Sequence, residues 1–173
     1  CVIVSAEGRQ IGKGYHQRFG QAHAEINALN SIRKADEPLL KGATVYVTLE
    51  PCSHTGKTPA CAKKLAELPF KRVVVALRDP NPVVNGRGME LLRKAGIQVD
   101  SGLMEREARE QNEHFIHYIK TGKPFVTLKL AQTLDGYIAA PDGSSQWVTG
   151  TDARKMVHQW RSEYDAVMVG RNT

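Results

Sequence analysis

The sequence has few cysteines and few aromatic residues, and it has no long hydrophobic run. The three cysteines, Cys1, Cys52 and Cys61, are an odd and small number, which argues against a disulfide framework and for metal or thiol chemistry in a reducing compartment. No stretch approaches the roughly 18 apolar residues of a membrane span. The N-terminus also lacks the basic-then-apolar pattern of a signal peptide. These absences predict a soluble, cytoplasmic protein without a membrane partner.

The overall composition is that of a globular protein. Hydrophobic residues make up 41% and charged residues 24% of the 173 positions, so the chain can bury a core. At roughly 150 residues per domain, this length fits one large domain or a small domain plus part of another. The net charge of +6 suits an anionic partner such as nucleic acid or a phosphorylated metabolite. Aromatic residues are only 6% and are not interleaved with basic ones, so we predict no nucleic-acid partner.

Strands and helices alternate along the first 122 residues. Short runs rich in β-branched residues predict strands, and apolar residues three or four positions apart predict helices. The predicted strands are 2–4, 11–15, 45–49, 72–77 and 97–99, and the predicted helices are 23–33, 59–67, 88–94 and 105–119. Such alternation predicts a layered α/β fold.

The pattern breaks at Thr121-Gly122-Lys123-Pro124, because glycine ends helices and proline restrains the residue before it. We therefore predict a first domain at 1–122 and a second at 123–173. In the second segment we predict strands at 125–130, 136–139 and 166–169 and a helix at 151–164. The sequence opens without Met on an apolar strand and stops soon after the last predicted strand, so we interpret it as a piece of a longer protein, cut at both ends.

The strongest chemical signal is the set His23, Cys52 and Cys61. One imidazole and two thiolates give a borderline-soft cation three ligands and leave the fourth tetrahedral position for water, which is typical of catalytic zinc. Glu25 can face the same metal as His23 only if a helix begins around His23 and its first turn faces the pocket. With Pro51 before Cys52, the pattern agrees in kind with the H-x-E…P-C-x-x-C signature of zinc deaminases.

The spacing departs from that signature, since eight residues rather than two separate Cys52 from Cys61. These residues, 53–60, are predicted to form a loop over the metal that brings His54 and Lys57 near a substrate. The other histidines are not part of a metal-binding motif and are interpreted as surface or packing residues. They are His16, His114, His117 and His158. Cys1 is interpreted as a core strand residue.

On these motifs the sequence resembles the family of bifunctional riboflavin-biosynthesis proteins, in which a pyrimidine deaminase is joined to a reductase. The resemblance spans essentially the whole chain, and the long loop between the cysteines is specific to this family among zinc deaminases. The segments that carry it are His23-Ala24-Glu25, residues 46–61, residues 78–82, Gly86-Arg87-Gly88, residues 128–130, residues 133–136 and Ser145-Gln146-Trp147.

For residues 1–122 the resemblance implies a cytidine-deaminase-like three-layer α/β/α domain. It implies zinc held by His23, Cys52 and Cys61, with Glu25 as the proton shuttle. The implied reaction is hydrolysis of the 2-amino group of a diaminopyrimidinone that carries a phosphorylated ribosylamine. His54, Lys57, Asp79 and Asn81 would surround that substrate.

For residues 123–173 the resemblance implies the beginning of a dihydrofolate-reductase-like α/β domain, which uses NADPH to reduce the ribosyl group to ribityl. Ala131, Trp147 and Thr173 would lie along the cofactor. Ser145 and Arg161 would contact the substrate. We also expect a homo-oligomer.

Two alternatives remain open at this point. The same deaminase chemistry could act on cytidine, deoxycytidylate or an adenosine in transfer RNA. A non-catalytic module would need four protein ligands for a structural zinc, and His54 could supply the fourth. The structural-zinc alternative assigns no function to Glu25.

Overall fold

The computed structural model describes residues 1–54 and 59–171 of the chain. These residues belong to two units, which divide between Phe125 and Val126. The division lies close to the boundary predicted after Gly122. No helix of the described residues is long and apolar enough to cross a membrane.

A five-stranded mixed sheet forms the centre of the first unit. Its strands are β1 (Val2–Val4), β2 (Gln10–Lys13), β3 (Thr44–Leu49), β4 (Arg72–Leu77) and β5 (Gln98–Ser101), in the spatial order β2-β1-β3-β4-β5. β1 runs antiparallel to β2 and β3, whereas β3, β4 and β5 are parallel. The buried run Val73-Val74-Val75 in β4 has the β-branched composition of a strand covered on both faces.

Helices cover both faces of this sheet, which confirms the predicted α/β fold. The helices are α1 (Ala24–Asn30), a 3-10 helix (Lys34–Leu40), α2 (Cys61–Ala66), α3 (Arg87–Lys94), α4 (Glu105–Gln111) and α5 (Glu113–Thr121). On one face, Ala28 of α1, Leu65 of α2 and Leu92 of α3 join a single buried cluster with Val73 of β4. On the other face α4 packs against β4.

Three local differences from the predicted elements have polar causes. The helix predicted at 105–119 is two helices that meet at Asn112, whose side-chain amide donates to the carbonyl of Ala108 at 2.7 Å. α1 ends early because the Ser31 hydroxyl donates to the carbonyl of Ala28 at 2.7 Å and accepts from the Lys13 N–H at 2.9 Å. The unpredicted 3-10 helix carries Asp36, which pairs with Arg9 and Arg33.

The described part of the second unit contains one helix, α6 (Thr151–Glu163), as predicted, but no strand. The strands predicted at 125–130, 136–139 and 166–169 are therefore wrong for this structure. A strand is stable only when a neighbouring strand pairs with its backbone and its apolar side chains are covered. Here those side chains are exposed, as at Leu128, Ile138 and Met168.

The backbone after β2 lies very close to the backbone of α1. A Cβ on Gly14 would lie 2.3 Å from the backbone nitrogen of Ala28 and 2.7 Å from the carbonyl oxygen of Ala24. Only glycine fits between these backbone atoms. Gly14 also donates its N–H to the carbonyl of Cys1 at 2.9 Å, which joins it to the residue before β1.

We predict that Gly14→Ala lowers the free energy of unfolding by about 1–3 kcal/mol, because the methyl group has to displace backbone atoms. The matched control is Gly150→Ala, since a Cβ there meets nothing within 4 Å. The control should change the free energy by less than about 1 kcal/mol. Urea unfolding of the intact protein, followed by circular dichroism, measures both. Equal effects of the two variants would contradict the role given to Gly14.

Candidate active site

Three side chains from three different elements meet at one point of the first unit. His23 is the residue that precedes α1, Cys52 follows β3, and Cys61 is the first residue of α2. The His23 Nδ1 atom lies 3.6 Å from the Cys52 Sγ atom and 3.4 Å from the Cys61 Sγ atom. All three potential ligand atoms lie within 4.8 Å of one another, with Cys61 buried and the other two residues partly buried.

The spacing of these atoms fits a tetrahedral zinc ion. Usual zinc–sulfur and zinc–nitrogen bond lengths place a ligating sulfur and a ligating nitrogen roughly 3.5 Å apart. Both nitrogen–sulfur distances in the structure lie within 0.1 Å of that value. The three cysteines are free thiols. This donor set therefore suits zinc and leaves room for a further ligand that is not supplied by these three residues.

The pKa values of the two thiols in this cluster are shifted in opposite directions. The Cys61 thiol donates a hydrogen bond to Cys52, and this lowers the pKa of Cys52 to about 5, helped by the Cys61 backbone N–H and by His23. The Cys61 N–H lies 3.3 Å from the Cys52 sulfur. The pKa of Cys61 is raised, first by the same hydrogen bond and then by burial. One of the two thiols is thus already prepared to bind a cation as a thiolate.

Glu25 lies in the first turn of α1, next to this cluster. The helix begins at Ala24, directly after His23, which is the condition under which both residues face one site. The side chain of Glu25 is buried, and burial raises the pKa of its carboxyl group, as does the neighbouring Cys52. A raised pKa lets this carboxyl group hold a proton at a higher pH than an ordinary glutamate does, which suits a group that takes up and releases a proton.

His16 also lies at the site, although it was interpreted as a surface or packing residue. Its ring is exposed, but it meets the ring of His23 edge-on with 5.3 Å between the ring centroids. Its Nδ1 atom lies 3.1 Å from the carbonyl oxygen of Ala22. Sequence reasoning missed this contact because His16 is in a loop, where no periodic pattern indicates direction.

Asp79 and Asn81 follow the carboxyl end of β4, beside the residues that follow β3. Asp79 is buried, and its carboxylate accepts the N–H of Asn81 at 2.8 Å. Burial raises the pKa of Asp79, with smaller contributions from the nearby negative groups of Glu50 and Cys52, whereas His54 acts in the opposite direction. Asp79 is thus electrostatically coupled to both Cys52 and His54.

His54 is exposed and does not belong to the group of potential metal ligands among the described residues. The structure thus gives no support to His54 as a fourth protein ligand. Lys57, predicted to bind substrate, and Thr173, predicted to bind the cofactor, lie outside the described residues.

The other predicted residues of the reductase segment belong to the second unit. Ser145 and Trp147 line one open groove of about 830 Å³ together with Thr133, Asp135 and Tyr137. Trp147 is exposed, and the guanidinium of Arg154 lies over its ring at 4.3 Å. Ala131 and Arg161 are not among the residues that line this groove.

Sequence reasoning also missed Glu50. This residue is buried at the end of β3, and its carboxylate accepts backbone N–H groups from the segment that follows β4. The available signal was an acidic residue directly after a buried strand and directly before Pro51-Cys52.

Comparison with known proteins identifies two family regions along the chain. The family described as the cytidine and deoxycytidylate deaminase zinc-binding region matches residues 1–77. The family described as the RibD C-terminal domain matches residues 124–173. The first region contains the cluster of His23, Cys52 and Cys61 with Glu25.

Several curated and solved proteins are similar over nearly the whole chain. The riboflavin biosynthesis protein RibD of Aquifex aeolicus is 52% identical over 171 residues, which cover 99% of this chain and 47% of that protein. RibD of Escherichia coli is 47% identical over 173 residues, which cover 100% of this chain and 46% of that protein. The chain thus spans about half the length of these relatives.

A crystal structure from Thermotoga maritima is similar in three dimensions. That protein is described as a diaminohydroxyphosphoribosylaminopyrimidine deaminase/5-amino-6-(5-phosphoribosylamino)uracil reductase. It is 48% identical, with a TM-score of 0.91, and the match covers 99% of this chain and 48% of that one.

We predict that Cys52 is the fastest-reacting thiol of the metal-free protein. Because its pKa is lowered to about 5, it is a thiolate above that pH, and its alkylation by iodoacetamide should slow only as the pH falls through about 5. Cys61 should react slowly, since its pKa is raised. Mass spectrometry after brief alkylation measures each site, with Cys1 as the internal reference. A rate at Cys52 that declines already between pH 9 and 8, as for the ordinary cysteine pKa of about 8.5, would contradict this assignment.

Proposed function

The chain belongs to the RibD family of riboflavin-biosynthesis proteins, and from that membership we propose that residues 1–122 form a zinc-dependent pyrimidine deaminase. The proposed substrate is 2,5-diamino-6-(5-phosphoribosylamino)pyrimidin-4-one, which loses its 2-amino group by hydrolysis. One observation carries the proposal: the three ligand atoms of His23, Cys52 and Cys61 surround one point, and the buried carboxyl group of Glu25 lies beside them.

His23, Cys52 and Cys61 are the proposed zinc ligands. Zinc bound there would supply Lewis-acid activation of a water molecule, which becomes a nucleophile near neutral pH. The protein fixes the three donor atoms from the beginnings of α1 and α2 and from the end of β3.

Glu25 is the proposed catalytic acid and base. Its carboxylate takes a proton from the attacking water and passes it to the departing amino nitrogen, so a C–O bond forms, the C–N bond breaks and ammonia leaves. Burial supports this role, because it raises the pKa of Glu25 and so makes the protonated intermediate state accessible.

Asp79, Asn81, His54 and Lys57 are the proposed substrate-binding residues. Asp79 and Asn81 are held in one turn after β4, whose last residue, Leu77, is in register with Leu49 of β3. Along the sequence, His54 and Lys57 both lie in the segment 53–60 between the two cysteines. A cationic lysine is chemically suited to the phosphate of the substrate.

Residues 123–173 are proposed to be the beginning of an NADPH-dependent reductase domain, which reduces the ribosyl group to ribityl in the longer protein. Ala131, Trp147 and Thr173 are proposed along the cofactor, and Ser145 and Arg161 at the substrate. The groove that contains Ser145 and Trp147 supports part of this assignment.

We also propose a homo-oligomeric, cytoplasmic enzyme that does not bind nucleic acid. These three properties rest on the sequence predictions. Deamination of cytidine compounds and a structural zinc are the competing functions, and the buried Glu25 beside the ligand cluster favours catalysis over a structural role.

We predict that Glu25→Gln abolishes ammonia release from the diaminopyrimidinone substrate in the full-length zinc-loaded protein. Because the amide cannot carry the proton, kcat/KM should fall by at least about a thousandfold. Bound zinc should be unchanged, since Glu25 is not a ligand. The matched control is Glu67→Gln, at an exposed glutamate that pairs with Lys64, and it should keep wild-type activity.

A panel with cytidine and deoxycytidylate completes the experiment. Activity on the cytidine compounds alone would overturn the proposed substrate. A protein that binds zinc but deaminates none of the three compounds would favour the structural-zinc alternative.

A further inference from the structure

Glu50 is a buried carboxylate that lies between the metal cluster and the loop after β4. It is 3% exposed, at the end of β3 and directly before Pro51 and Cys52. Among the residues that the structure describes, no lysine, arginine or histidine forms an ion pair with it. A buried carboxylate is costly unless hydrogen bonds satisfy its oxygen atoms.

Four backbone N–H groups satisfy this carboxylate. Oε2 accepts from Gly86 at 2.8 Å and from Asp79 at 3.3 Å. Oε1 accepts from Gly88 at 2.9 Å and from Met89 at 3.2 Å. Asp79 begins the loop after β4, Gly86 precedes α3, and the other two residues belong to the first turn of α3. One side chain therefore joins both ends of loop 79–86 to the end of β3.

The backbone around Glu50 is closely packed, so the first turn of α3 cannot move toward Pro51. A Cβ on Gly88 would lie 2.0 Å from the carbonyl oxygen of Pro51 and 3.2 Å from Oε1 of Glu50. Only glycine allows the first turn of α3 to lie against Pro51, next to the proposed zinc ligand Cys52. The Glu50 N–H in turn donates to the carbonyl of Leu77 at 2.9 Å.

The proposed substrate-binding residues Asp79 and Asn81 lie in one turn. This turn starts at Asp79, whose N–H group donates to the Glu50 carboxylate. The Asp79 carboxylate accepts the Asn81 N–H at 2.8 Å, and the Asn81 side-chain oxygen accepts the Val83 N–H at 3.0 Å. The Asn81 carbonyl accepts the Val84 N–H at 2.9 Å. A displacement of Asp79 would therefore be passed on to Asn81.

We propose that Glu50 is a positioning residue of the deaminase, which sets the place of Asp79 and Asn81 relative to the zinc ligand Cys52 through its four backbone hydrogen bonds. This inference rests on the proposed function, because it assigns the substrate-binding role to Asp79 and Asn81. Glu50 touches neither substrate nor metal in this proposal.

The test is Glu50→Gln in the full-length zinc-loaded protein. A carboxylate only accepts hydrogen bonds, whereas the glutamine amide nitrogen would face two N–H donors. KM for the diaminopyrimidinone substrate should rise by at least about tenfold, while kcat stays within about threefold of wild type and bound zinc is unchanged. A merely structural residue would lower the melting temperature without changing KM.

A double-mutant comparison with Asn81→Ala asks whether Glu50 acts through the turn. If it does, Glu50→Gln should raise KM little further in the Asn81→Ala background, because the same contact is already lost. Full additivity of the two changes would overturn the proposal. The control for loss of a buried carboxylate is Asp36→Asn, which breaks the pairs with Arg9 and Arg33 and should leave KM unchanged.

Amide hydrogen exchange separates this proposal from the proposed function. In Glu50→Gln, but not in Asp36→Asn, the amides of residues 79–89 should exchange faster, even if the wild-type protein were to release no ammonia from the substrate. Unchanged exchange in that segment would overturn the role of Glu50 whatever the activity. If Glu50→Gln does not fold, Glu50→Asp, which keeps the charge on a shorter side chain, carries the same tests. Failure of both variants to fold would make the residue structural and overturn the proposal.

Discussion

The parallel pairing of β3 with β4 is the contact on which the rest of the site depends. Leu49 is in register with Leu77, so the segments that follow the two strands leave the sheet side by side. One segment carries Cys52, and the other carries Asp79 and Asn81. The crevice outside the carboxyl ends of parallel strands is where α/β folds commonly bind ligands. Glu50 belongs to the first segment and accepts N–H groups of the second, so the sheet register extends into the geometry of the proposed pocket.

Negative groups gather at this end of the sheet, and this explains why a cation suits it. Glu25 and Asp79 are both buried, and the pKa of each carboxyl group is raised by burial and by the neighbouring Cys52. A nearby positive charge favours the charged form of buried carboxyl groups such as these. A divalent cation among His23, Cys52 and Cys61 would supply it. The same arrangement thus accounts for metal binding and for a glutamate that can exchange protons.

The first unit was more predictable from the sequence than the second, for physical reasons. Strand β4 matches its prediction because Val73-Val74-Val75 is buried on both faces, and burial leaves a clear signal in composition. The meeting of His23 with Cys52 and Cys61 was predictable because few residue types bind zinc and their order is characteristic. The strands predicted after residue 124 failed because pattern alone does not supply a pairing partner. The contacts of Glu50 were not predicted because they join segments that are distant in sequence. The contact of His16 with His23 was not predicted because His16 lies in a loop without a periodic pattern.

X-ray absorption at the zinc edge of the full-length protein tests the central claim most directly, namely that His23, Cys52 and Cys61 are the protein ligands of a catalytic zinc. The account predicts one zinc ion with two sulfur ligands at about 2.3 Å and a single imidazole at about 2.0–2.1 Å, with the remaining scattering from a light atom. A signal from two imidazoles would indicate a closed site with a second histidine. That result, or a protein that binds no zinc, would contradict the account.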